Sequence, residues 1–480
     1  MKNLSLLTDF YQLTMMNGYL KNGVHEDMVI FDMFFRQNPN GNGFTVIAGL
    51  EQMIEYIENL QFTEEDLEYI RGLGFDDTFI EHLRNFEFKG TIYGVNEGAI
   101  MFPSEPILRV KATCFEAQLI ETAILNIINF QSLIATKATR VCNAAKGDAV
   151  FEFGLRRAQG PDAGVYGARA AVIGGCSSTS NVLAGKLFNI PVVGTQAHSW
   201  IQKFDTELEA FRAYAKAYPD KCMLLVDTYD TLKSGVPNAI TVFKELKEAG
   251  YEPKGIRIDS GDLAYLSKEA RKMLDEAGFK NVTIVASSDL DEATIHTLKI
   301  QGAEISGWGV GTNLITSKDC PALGGVYKLA AVEQNGDFIP KIKISENPEK
   351  ITNPGSKKVV RIYDKSTNKA LADLIMLEDE VIDTNKPLTI FHPIYTWKKK
   401  TIYNYTIKEL LLPIFVDGKR VRPSKTVHEV KQYFEQELST LWPEYIRLTR
   451  PQIYKVDLSQ KLWDLKHSMV NTYRDKKSDD

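Results

Sequence analysis

Cysteine is scarce in this chain and is never closely paired. The five cysteines lie at positions 114, 142, 176, 222 and 320, and none of them forms a CxxC motif. This odd number and wide spacing argue against a disulfide framework and against a zinc cluster. We expect reduced and mostly buried thiols.

Long apolar runs and a strong excess of one charge are also absent. No apolar run approaches the length of a membrane span, and the N-terminus MKNLSLLTDFYQLTMMNGY is too polar for a signal peptide. The net charge is −5, which argues against a broad nucleic-acid-binding surface. The sequence therefore predicts a cytoplasmic protein with neither nucleic acid nor membrane as a partner.

The chain is longer than one hydrophobic core usually supports. It has 480 residues, of which 44% are hydrophobic and 25% are charged, as in ordinary globular proteins. Three segments differ in their patterns: 1–138 mixes helices and strands, 139–335 alternates β-branched runs with amphipathic stretches, and 336–480 returns to strands and turns. We predict a middle domain, with both end segments packed together as a second domain.

The middle segment predicts a parallel sheet covered by helices. NAITVFKELKEAG and LSKEARKMLDEAG are amphipathic and end in Gly, as helices often do. The apolar runs, in chain order, are AVFEF, IPVVG, MLLVDTY, GIRID, VTIVAS, ISGWGVG and VYKLAAV. Such alternation implies parallel strands buried on both faces. The predicted fold is α/β, an irregular (α/β) barrel rather than an open sheet, with a second α+β domain built from the N- and C-terminal segments.

The end segments carry their own predicted elements. Residues 115–141 have apolar positions at helical spacing and predict one long helix. Alternating short runs in TIYGVNEGAIMFPSEPILRV, KIKISENPEKITNPG and VVRIYDKSTNKALADLIML predict strands joined by turns. VHEVKQYFEQELSTLW predicts a further helix.

Polar residues follow the predicted strands at the ends where parallel barrels carry their chemistry. They are Arg156, Arg157, His198, Ser199, Asp227, Asp259, Ser260, Asp262, Ser288, Asp289, Gly309, Gly311 and Thr312. Each residue alone is a weak sign of function. Their repetition at one predicted rim is not easily explained by packing.

A phosphate site and a plain turn are both compatible with GVGT. The glycine N–H groups of Gly309 and Gly311 are unobstructed, and Thr312 adds a hydroxyl. Arg156 and Arg157 could clamp phosphates or a carboxylate, although an isolated arginine pair is more often solvated.

Carboxylates and one histidine complete the predicted rim. Asp259 and Asp262 could hold Mg²⁺ or ribose hydroxyls, although DSGD is more often a helix N-terminal turn. His198 follows an apolar strand, and a single histidine in such a place is more often a core residue with satisfied hydrogen bonds. Residue type and spacing leave both alternatives open.

Several stretches resemble nicotinate phosphoribosyltransferases and occur in that family's order. They are LLTDFYQLTM, FFRQNP, FEFGLRRAQGPDAG, SSTSNVLAG, GTQAHSW, IRIDSGDL, GVGTNL and RLTRPQIYKVDLS. The resemblance covers nearly the whole chain, and the combined match is far more specific than any one motif. It implies a type II phosphoribosyltransferase fold and a homodimer with sites at the subunit interface.

The resemblance assigns a pyridine site. Tyr11 matches a tyrosine that reaches from the partner subunit to stack on the ring, and Phe153 matches the aromatic residue on the other face. Without the family, Tyr11 would be interpreted as a core residue and Phe153 as an ordinary strand residue. Arg156 resembles the arginine near the pyridine acid group. Ser180 stands where relatives that use nicotinamide have Asp, and the missing carboxylate favours negatively charged nicotinate.

The resemblance also assigns the sugar, phosphate and ATP chemistry. The substrate-binding residues that it places there are Arg257, Ser260, Ser288, Asp289, Gly309, Gly311 and Thr312. Arg157 and Ser199, at the same predicted rim, are also predicted to bind substrate. Asp259 is predicted to stabilise the reacting sugar. His198 resembles a histidine that ATP phosphorylates transiently, a role that suits a neutral imidazole. Many relatives have a second histidine two residues earlier, where this chain has Gln196.

The implied reaction joins nicotinate to phosphoribosyl pyrophosphate, with ATP as co-substrate and with Mg²⁺, whose ligands are not identified, on the pyrophosphate. The alternatives are a nicotinamide or quinolinate phosphoribosyltransferase, a phosphate-binding aldolase barrel, and a non-catalytic metabolite sensor. Ser180 argues against nicotinamide, and a quinolinate enzyme needs no ATP. An aldolase needs a Schiff-base lysine, which none of these strand ends carries. The presence of every matched motif residue argues against a sensor.

Overall fold

The computed structural model describes residues 3–347 and 350–478, without the side chains of 474–478. The chain divides into two compact units. The middle unit is Ile134–Pro321, and the outer unit combines the residues up to Leu133 with those from Ala322 onwards. Both bounds fall before the predicted ones at 138/139 and 335/336. Within the described residues, no helix is both long and apolar enough to cross a membrane.

The strands of the described chain are mostly short. In chain order they are β1 (Met28–Phe35), β2 (Thr45–Val46), β3 (Thr91–Gly94), β4 (Ile100–Met101), β5 (Leu108–Thr113), β6 (Ala149–Glu152), β7 (Ser178–Thr179), β8 (Met223–Leu225), β9 (Gly255–Ile258), β10 (Thr283–Ala286), β11 (Gly307–Val310), β12 (Gly325–Gln334), β13 (Asp337–Pro340), β14 (Lys357–Asp364), β15 (Ala370–Leu377), β16 (Leu388–Phe391), β17 (Lys399–Ile402), β18 (Tyr405–Glu409), β19 (Leu412–Val416), β20 (Lys419–Arg420) and β21 (Val456–Leu458).

Helices separate the strands throughout the middle unit and flank them in the outer unit. In chain order they are α1 (Phe10–Lys21), α2 (Leu50–Glu58), α3 (Glu64–Gly72), α4 (Asp77–Arg84), α5 (Cys114–Leu119), α6 (Glu121–Ala145), α7 (Pro161–Ile173), α8 (Val182–Phe188), α9 (His198–Gln202), α10 (Glu207–Ala217), α11 (Val236–Glu248), α12 (Leu263–Glu276), α13 (Glu292–Ile300), α14 (Thr312–Ile315), α15 (Val427–Thr440), α16 (Pro443–Ile446) and α17 (Gln460–Ser478).

The middle unit contains the predicted parallel sheet. Its strand order is β7-β6-β11-β10-β9-β8, and every pair is parallel. β6, the first strand of this sheet in the sequence, therefore lies between β7, the second, and β11, the last, as the first strand does in a barrel. One parallel bridge, Thr179 to Val192, extends the order beyond β7, so IPVVG forms a bridge and not the predicted strand. No ladder joins Val192 to β8 within the described residues, and closure of the barrel stays a prediction.

Helix ends and buried strands follow from the sequence in this unit. Side chains such as Ile256, Ile284 and Trp308 are fully or almost fully buried, as in parallel strands covered on both faces. Gly250 and Gly278, just after α11 and α12, have φ values of 86° and 87°. This left-handed backbone is the reason that glycine ends the two predicted helices.

The outer unit builds one antiparallel sheet from both chain ends. Its order is β13-β12-β1-β5-β3-β19-β20. The run VYKLAAV was predicted as a barrel strand, and this is wrong, because β12 pairs antiparallel with β1. A smaller sheet has the order β18-β14-β15-β21, in which β14 and β15 form the predicted hairpin.

Two further predictions for the outer segments need correction. The predicted helix over 115–141 is divided at Ile120 into α5 and α6, and Thr113 caps α5 with its hydroxyl on the Glu116 N–H. The described residues of KIKISENPEKITNPG contain no strand. The helix predicted in VHEVKQYFEQELSTLW is confirmed as α15.

Candidate active site

The carboxyl ends of the parallel strands meet at one edge of the middle sheet. Ile258 ends β9 beside Ala286, which ends β10. The residues that follow are Asp259 and Ser287, and Asp227 lies two residues after β8. Parallel register therefore places the side chains of Asp259, Ser287 and Asp227 close together. With Arg257 and His198, which contact them, they form a group that we call the rim cluster (Arg257, Asp259, Ser287, Asp227 and His198).

Arg257 and Ser287 hold one oxygen of Asp259. The Arg257 guanidinium donates from Nε to Ser287 Oγ (2.8 Å) and from Nη2 to Asp259 Oδ1 (3.1 Å), and the Ser287 hydroxyl donates to the same Asp259 oxygen. Burial by itself raises the pKa of Asp259, but the Ser287 hydrogen bond and the Arg257 charge together bring that pKa below its ordinary value. Asp259 is therefore a fixed anion.

Asp227 supports Asp259 from the other side. Its Oδ2 accepts hydrogen bonds from the Asp259 backbone N–H (3.1 Å) and from the Ser260 hydroxyl (2.5 Å). Its Oδ1 is buried and has no hydrogen-bond partner among the described residues. A buried acceptor without a partner calls for a physical explanation, such as a bound ion.

His198 is the first residue of α9 and stands over Asp259. Its Nδ1 lies 3.1 Å from the Thr228 hydroxyl oxygen, within hydrogen-bond distance. Its Nε2 lies 3.7 Å from Asp259 Oδ2, too far for a hydrogen bond but close enough for an ion pair. The imidazole is 39% exposed, so His198 is not the enclosed core residue that a lone histidine predicts.

Phe153 explains the glycines of the GVGT turn. A Cβ on Gly309 would lie 2.6 Å from the Phe153 ring, and one on Gly311 would lie 3.2 Å from the Phe153 carbonyl oxygen. Only glycine at 309 lets that ring keep its position. Thr312 then begins the short α14. The structure thus gives packing reasons for these glycines, and phosphate binding by the turn stays a prediction.

Glu152 is a buried carboxyl group next to this aromatic residue that sequence reasoning missed. Its side chain accepts hydrogen bonds from the Thr179 hydroxyl (2.6 Å) and the Gly154 N–H (2.5 Å). Burial raises its pKa despite these bonds. The Glu152 carbonyl accepts from the Ser180 N–H (2.9 Å), so Ser180 is placed beside Phe153 by the pairing of β6 with β7. A charged residue within the apolar run AVFEF was the available signal.

The remaining predicted residues of this unit are less tightly placed. Arg156 and Arg157 lie in a 3₁₀ turn (Leu155–Arg157) and are exposed, with no side-chain ion pair or hydrogen bond among the described residues. Ser199 is exposed on α9. Ser288 and Asp289 have φ values of 107° and 31°, in the positive-φ region that non-glycine residues adopt infrequently.

Two predicted residues have other surroundings. Asp262 caps α12, since its side chain accepts from the Tyr265 N–H at 3.0 Å, so the helix-turn interpretation of DSGD holds for it. Tyr11 belongs to the outer unit, where it is 49% exposed on α1.

Thr228, Ser287 and Glu152 are the site residues that sequence reasoning missed, and it gave Asp227 a strand end but no role. Ser287 follows VTIVA directly and could have been found by the strand-end rule. The role of Thr228 could not be predicted in this way, because it depends on where α9 packs. Within the described part of the chain, no group of three or more His, Cys, Asp or Glu side chains is arranged to hold a metal ion.

Comparison with known proteins gives consistent matches along the chain. The family models described as nicotinate phosphoribosyltransferase N-terminal domain, family and C-terminal domain match residues 6–129, 149–380 and 356–466. The chain is 50% identical to a Bacillus subtilis (strain 168) nicotinate phosphoribosyltransferase over 98% of this chain and 96% of that protein. It is 39% identical to a Caenorhabditis elegans protein of the same name, over 97% and 93%.

Solved structures agree with these matches. The crystal structure of human nicotinic acid phosphoribosyltransferase superposes with a TM-score of 0.84 and 31% identity, over 97% of this chain and 100% of that chain. A nicotinate-nucleotide pyrophosphorylase from Pyrococcus furiosus has a TM-score of 0.70 at 22% identity, covering 91% and 96%, and shows a shared fold alone.

Proposed function

The chain belongs to the nicotinate phosphoribosyltransferase family, and on that premise we propose that it makes nicotinate mononucleotide and pyrophosphate from nicotinate and phosphoribosyl pyrophosphate. The product places the enzyme in NAD biosynthesis. The observation that carries the proposal is the rim cluster, in which a fixed carboxylate, an arginine and an accessible imidazole converge at the strand ends of the family's catalytic fold.

Asp259 suits the sugar chemistry. Loss of pyrophosphate from the anomeric carbon develops positive charge on the ribose ring, and an anion held in place stabilises that charge. Arg257 and Ser287 fix the carboxylate and favour its ionised form. The nicotinate nitrogen already carries a lone pair, so the proposed mechanism needs no general base and depends on orientation.

In this proposal, two aromatic residues orient the pyridine ring. Phe153 supplies one face, and its ring position depends on Gly309. Tyr11, half-exposed on α1, supplies the other face from the partner subunit of a homodimer. Arg156, exposed and without an ion-pair partner among the described residues, is available for the nicotinate carboxylate.

Substrate choice in this proposal rests on Ser180. Its N–H is bonded to the Glu152 carbonyl, so a side chain at 180 lies next to the Phe153 segment. An aspartate there would repel the carboxylate of nicotinate, whereas serine does not. Nicotinamide and quinolinate are the rival substrates.

In this proposal, ATP phosphorylates His198. In the phosphoryl transfer, a ring nitrogen forms a bond to the γ-phosphorus of ATP, the bond to the bridging oxygen breaks, and ADP leaves. In this step Nδ1–H donates to the Thr228 hydroxyl oxygen, which leaves Nε2 of the half-exposed imidazole with its lone pair as the nucleophile. A phosphoryl group adds about −1.5 to −2 charges beside Asp259, which would change how the site holds the sugar and phosphates.

We expect Mg²⁺ to bind together with the phosphates of the substrate, where it would neutralise the charge of the leaving pyrophosphate. Mg²⁺ commonly uses one or two carboxylates together with substrate oxygens, so a dedicated protein cage is not needed. Asp227 and Asp259 are the residues present that fit this role, since the buried Asp227 Oδ1 accepts no hydrogen bond from the described part of the chain.

Product formation tests the proposal directly. The purified protein is incubated with phosphoribosyl pyrophosphate and Mg²⁺, with or without ATP, and with nicotinate, nicotinamide or quinolinate. We expect nicotinate mononucleotide from nicotinate alone, formed faster with ATP. Turnover of nicotinamide instead would refute the role of Ser180, and the absence of product from nicotinate under every condition would refute the function.

A further inference from the structure

Gln196 is a buried glutamine whose side chain makes no hydrogen bond to any residue that the structure describes. Only 7% of the residue is exposed, and both Oε1 and Nε2 are buried without a partner among the described residues. An amide in this condition destabilises a fold, because it has lost its hydration and gained no bond in return. An apolar side chain of the same size would avoid that loss.

The surrounding segment belongs to the rim cluster. Gln196 lies two residues before His198, in the stretch that connects the Val192 bridge to α9. Its carbonyl oxygen accepts from Arg257 Nη1 (3.4 Å), and the Thr195 hydroxyl accepts from the same nitrogen (3.2 Å). The backbone at 196 is thus tied to the arginine that holds Asp259.

We propose that the Gln196 side chain binds the ribose hydroxyls of the phosphoribosyl substrate, an inference that rests on the proposed function. A primary amide offers a donor and an acceptor, so a ligand that satisfies both atoms must accept and donate. Ribose hydroxyls do both. Phosphate and carboxylate oxygens could accept from Nε2 but would leave Oε1 unpaired, so the phosphates and nicotinate fit this position less well.

The stability of the ligand-free protein distinguishes this role from a structural one. Gln196→Met keeps the size of the side chain and removes an amide that makes no bond, so its melting temperature should equal or exceed that of the wild type. Gln131→Met is the matched control. Gln131 is fully buried and donates to Gln52 Oε1 (2.7 Å), so the control should melt at a lower temperature with unchanged KM values.

Kinetics and ligand discrimination then test the proposed partner. In Gln196→Met the KM for phosphoribosyl pyrophosphate should rise about tenfold, as expected for one or two lost hydrogen bonds, while the KM for nicotinate stays within about twofold. Ribose 5-phosphate should raise the wild-type melting temperature more than 2-deoxyribose 5-phosphate does. The Gln196→Met variant should respond equally to the two sugars. Gln196→Glu retains the acceptor alone and should show a KM for phosphoribosyl pyrophosphate at least as high as that of Gln196→Met.

Three outcomes would overturn the inference while leaving the proposed function intact. One is an active Gln196→Met enzyme with a wild-type KM for phosphoribosyl pyrophosphate. Another is a fall in melting temperature without a change in KM, which indicates a structural role. The third is an effect confined to the KM for nicotinate. If the wild-type protein makes no product, the proposed function itself fails, and the comparison of the two sugar phosphates still reports on the binding role of Gln196.

Discussion

His198 Nε2 lies 3.7 Å from Asp259 Oδ2, while the other oxygen of that carboxylate is held by Arg257 and Ser287. The Asp259 carboxylate, which is proposed to stabilise the sugar, therefore lies next to His198, which is proposed to react with ATP. A change of charge on the imidazole acts directly on Asp259, because only 3.7 Å separates the two groups. In the proposed mechanism, this contact couples ATP to synthesis.

Replacing His198 with Ala should separate the two activities. We expect His198→Ala to keep nicotinate-dependent synthesis at its ATP-independent rate, to lose all stimulation by ATP, and to retain the melting temperature of the wild type, since the side chain is half-exposed. Synthesis is measured with and without ATP, and ³²P labelling from ATP reports the phosphohistidine. Undiminished stimulation by ATP in this variant would show that another group carries the phosphoryl transfer.

The acid limb of the pH profile should depend on Ser287. Asp259 acts as an anion, so kcat/KM falls as the pH drops through its pKa, and that pKa is lowered most by the Ser287 hydrogen bond and next by Arg257. Ser287→Ala removes the first of these, raises the pKa of Asp259 and should move the acid limb to higher pH. Ser287→Thr keeps a hydroxyl and should leave the limb near its wild-type position. Identical acid limbs in the wild type and in Ser287→Ala would exclude Asp259 as the titrating group.

The strand ends that carry the rim cluster could be read from the sequence because parallel alternation is a local pattern. GIRI followed by DSGD predicts Asp259 and Ser260 at a strand end, and β9 ends where the pattern predicts. The pairing partners of strands are not local. VYKLAAV has the composition of a barrel strand, and the pattern of apolar residues does not reveal that β12 pairs antiparallel with β1.

Side-chain partners across loops are not encoded in a local pattern either. The contact of His198 with Thr228 depends on how α9 meets the segment after β8, which no residue spacing encodes. Glu152 was concealed by its apolar neighbours, although one carboxyl group within a buried run signals a required hydrogen-bond network. The site roles of Tyr11 and Phe153 are predicted from family resemblance alone, because neither periodicity nor composition distinguishes these residues from core residues.

Gly309 provides a test of the aromatic site through packing alone. An added Cβ would lie 2.6 Å from the Phe153 ring, so Gly309→Ala must displace that ring. We expect a loss of about 1–3 kcal/mol of stability, typical of overpacking, and an increase in the KM for nicotinate that exceeds the change for phosphoribosyl pyrophosphate. Gly324→Ala is the control, because its Cβ meets no atom within 4 Å. A Gly309→Ala enzyme with an unchanged KM for nicotinate would remove Phe153 from the pyridine site.

Glu105 in the outer unit gives a prediction about stability that is independent of function. It is fully buried near the ion pair of Arg361 with Asp373. Burial raises its pKa well above the ordinary value of 4.5, and the nearby negative charge of Asp373 raises that pKa further. The fold therefore favours the neutral form of Glu105, and the Phe102 N–H donates to its Oε2 (2.8 Å).

The sign of the pH dependence follows from this raised pKa. The contribution of Glu105 to the free energy of unfolding is fully present below its unfolded pKa and is lost as the pH rises through its folded pKa. Glu105→Gln mimics the neutral acid at every pH. Urea unfolding across a pH series should therefore show similar stability for the two proteins in mild acid and a growing advantage for Glu105→Gln as the pH rises. Parallel curves would mean that folding does not raise the pKa of Glu105. Arg361→Met removes the cation that compensates Asp373 and Glu437, and it should cost about 3–5 kcal/mol in mild acid as well, because it leaves buried charges unpaired.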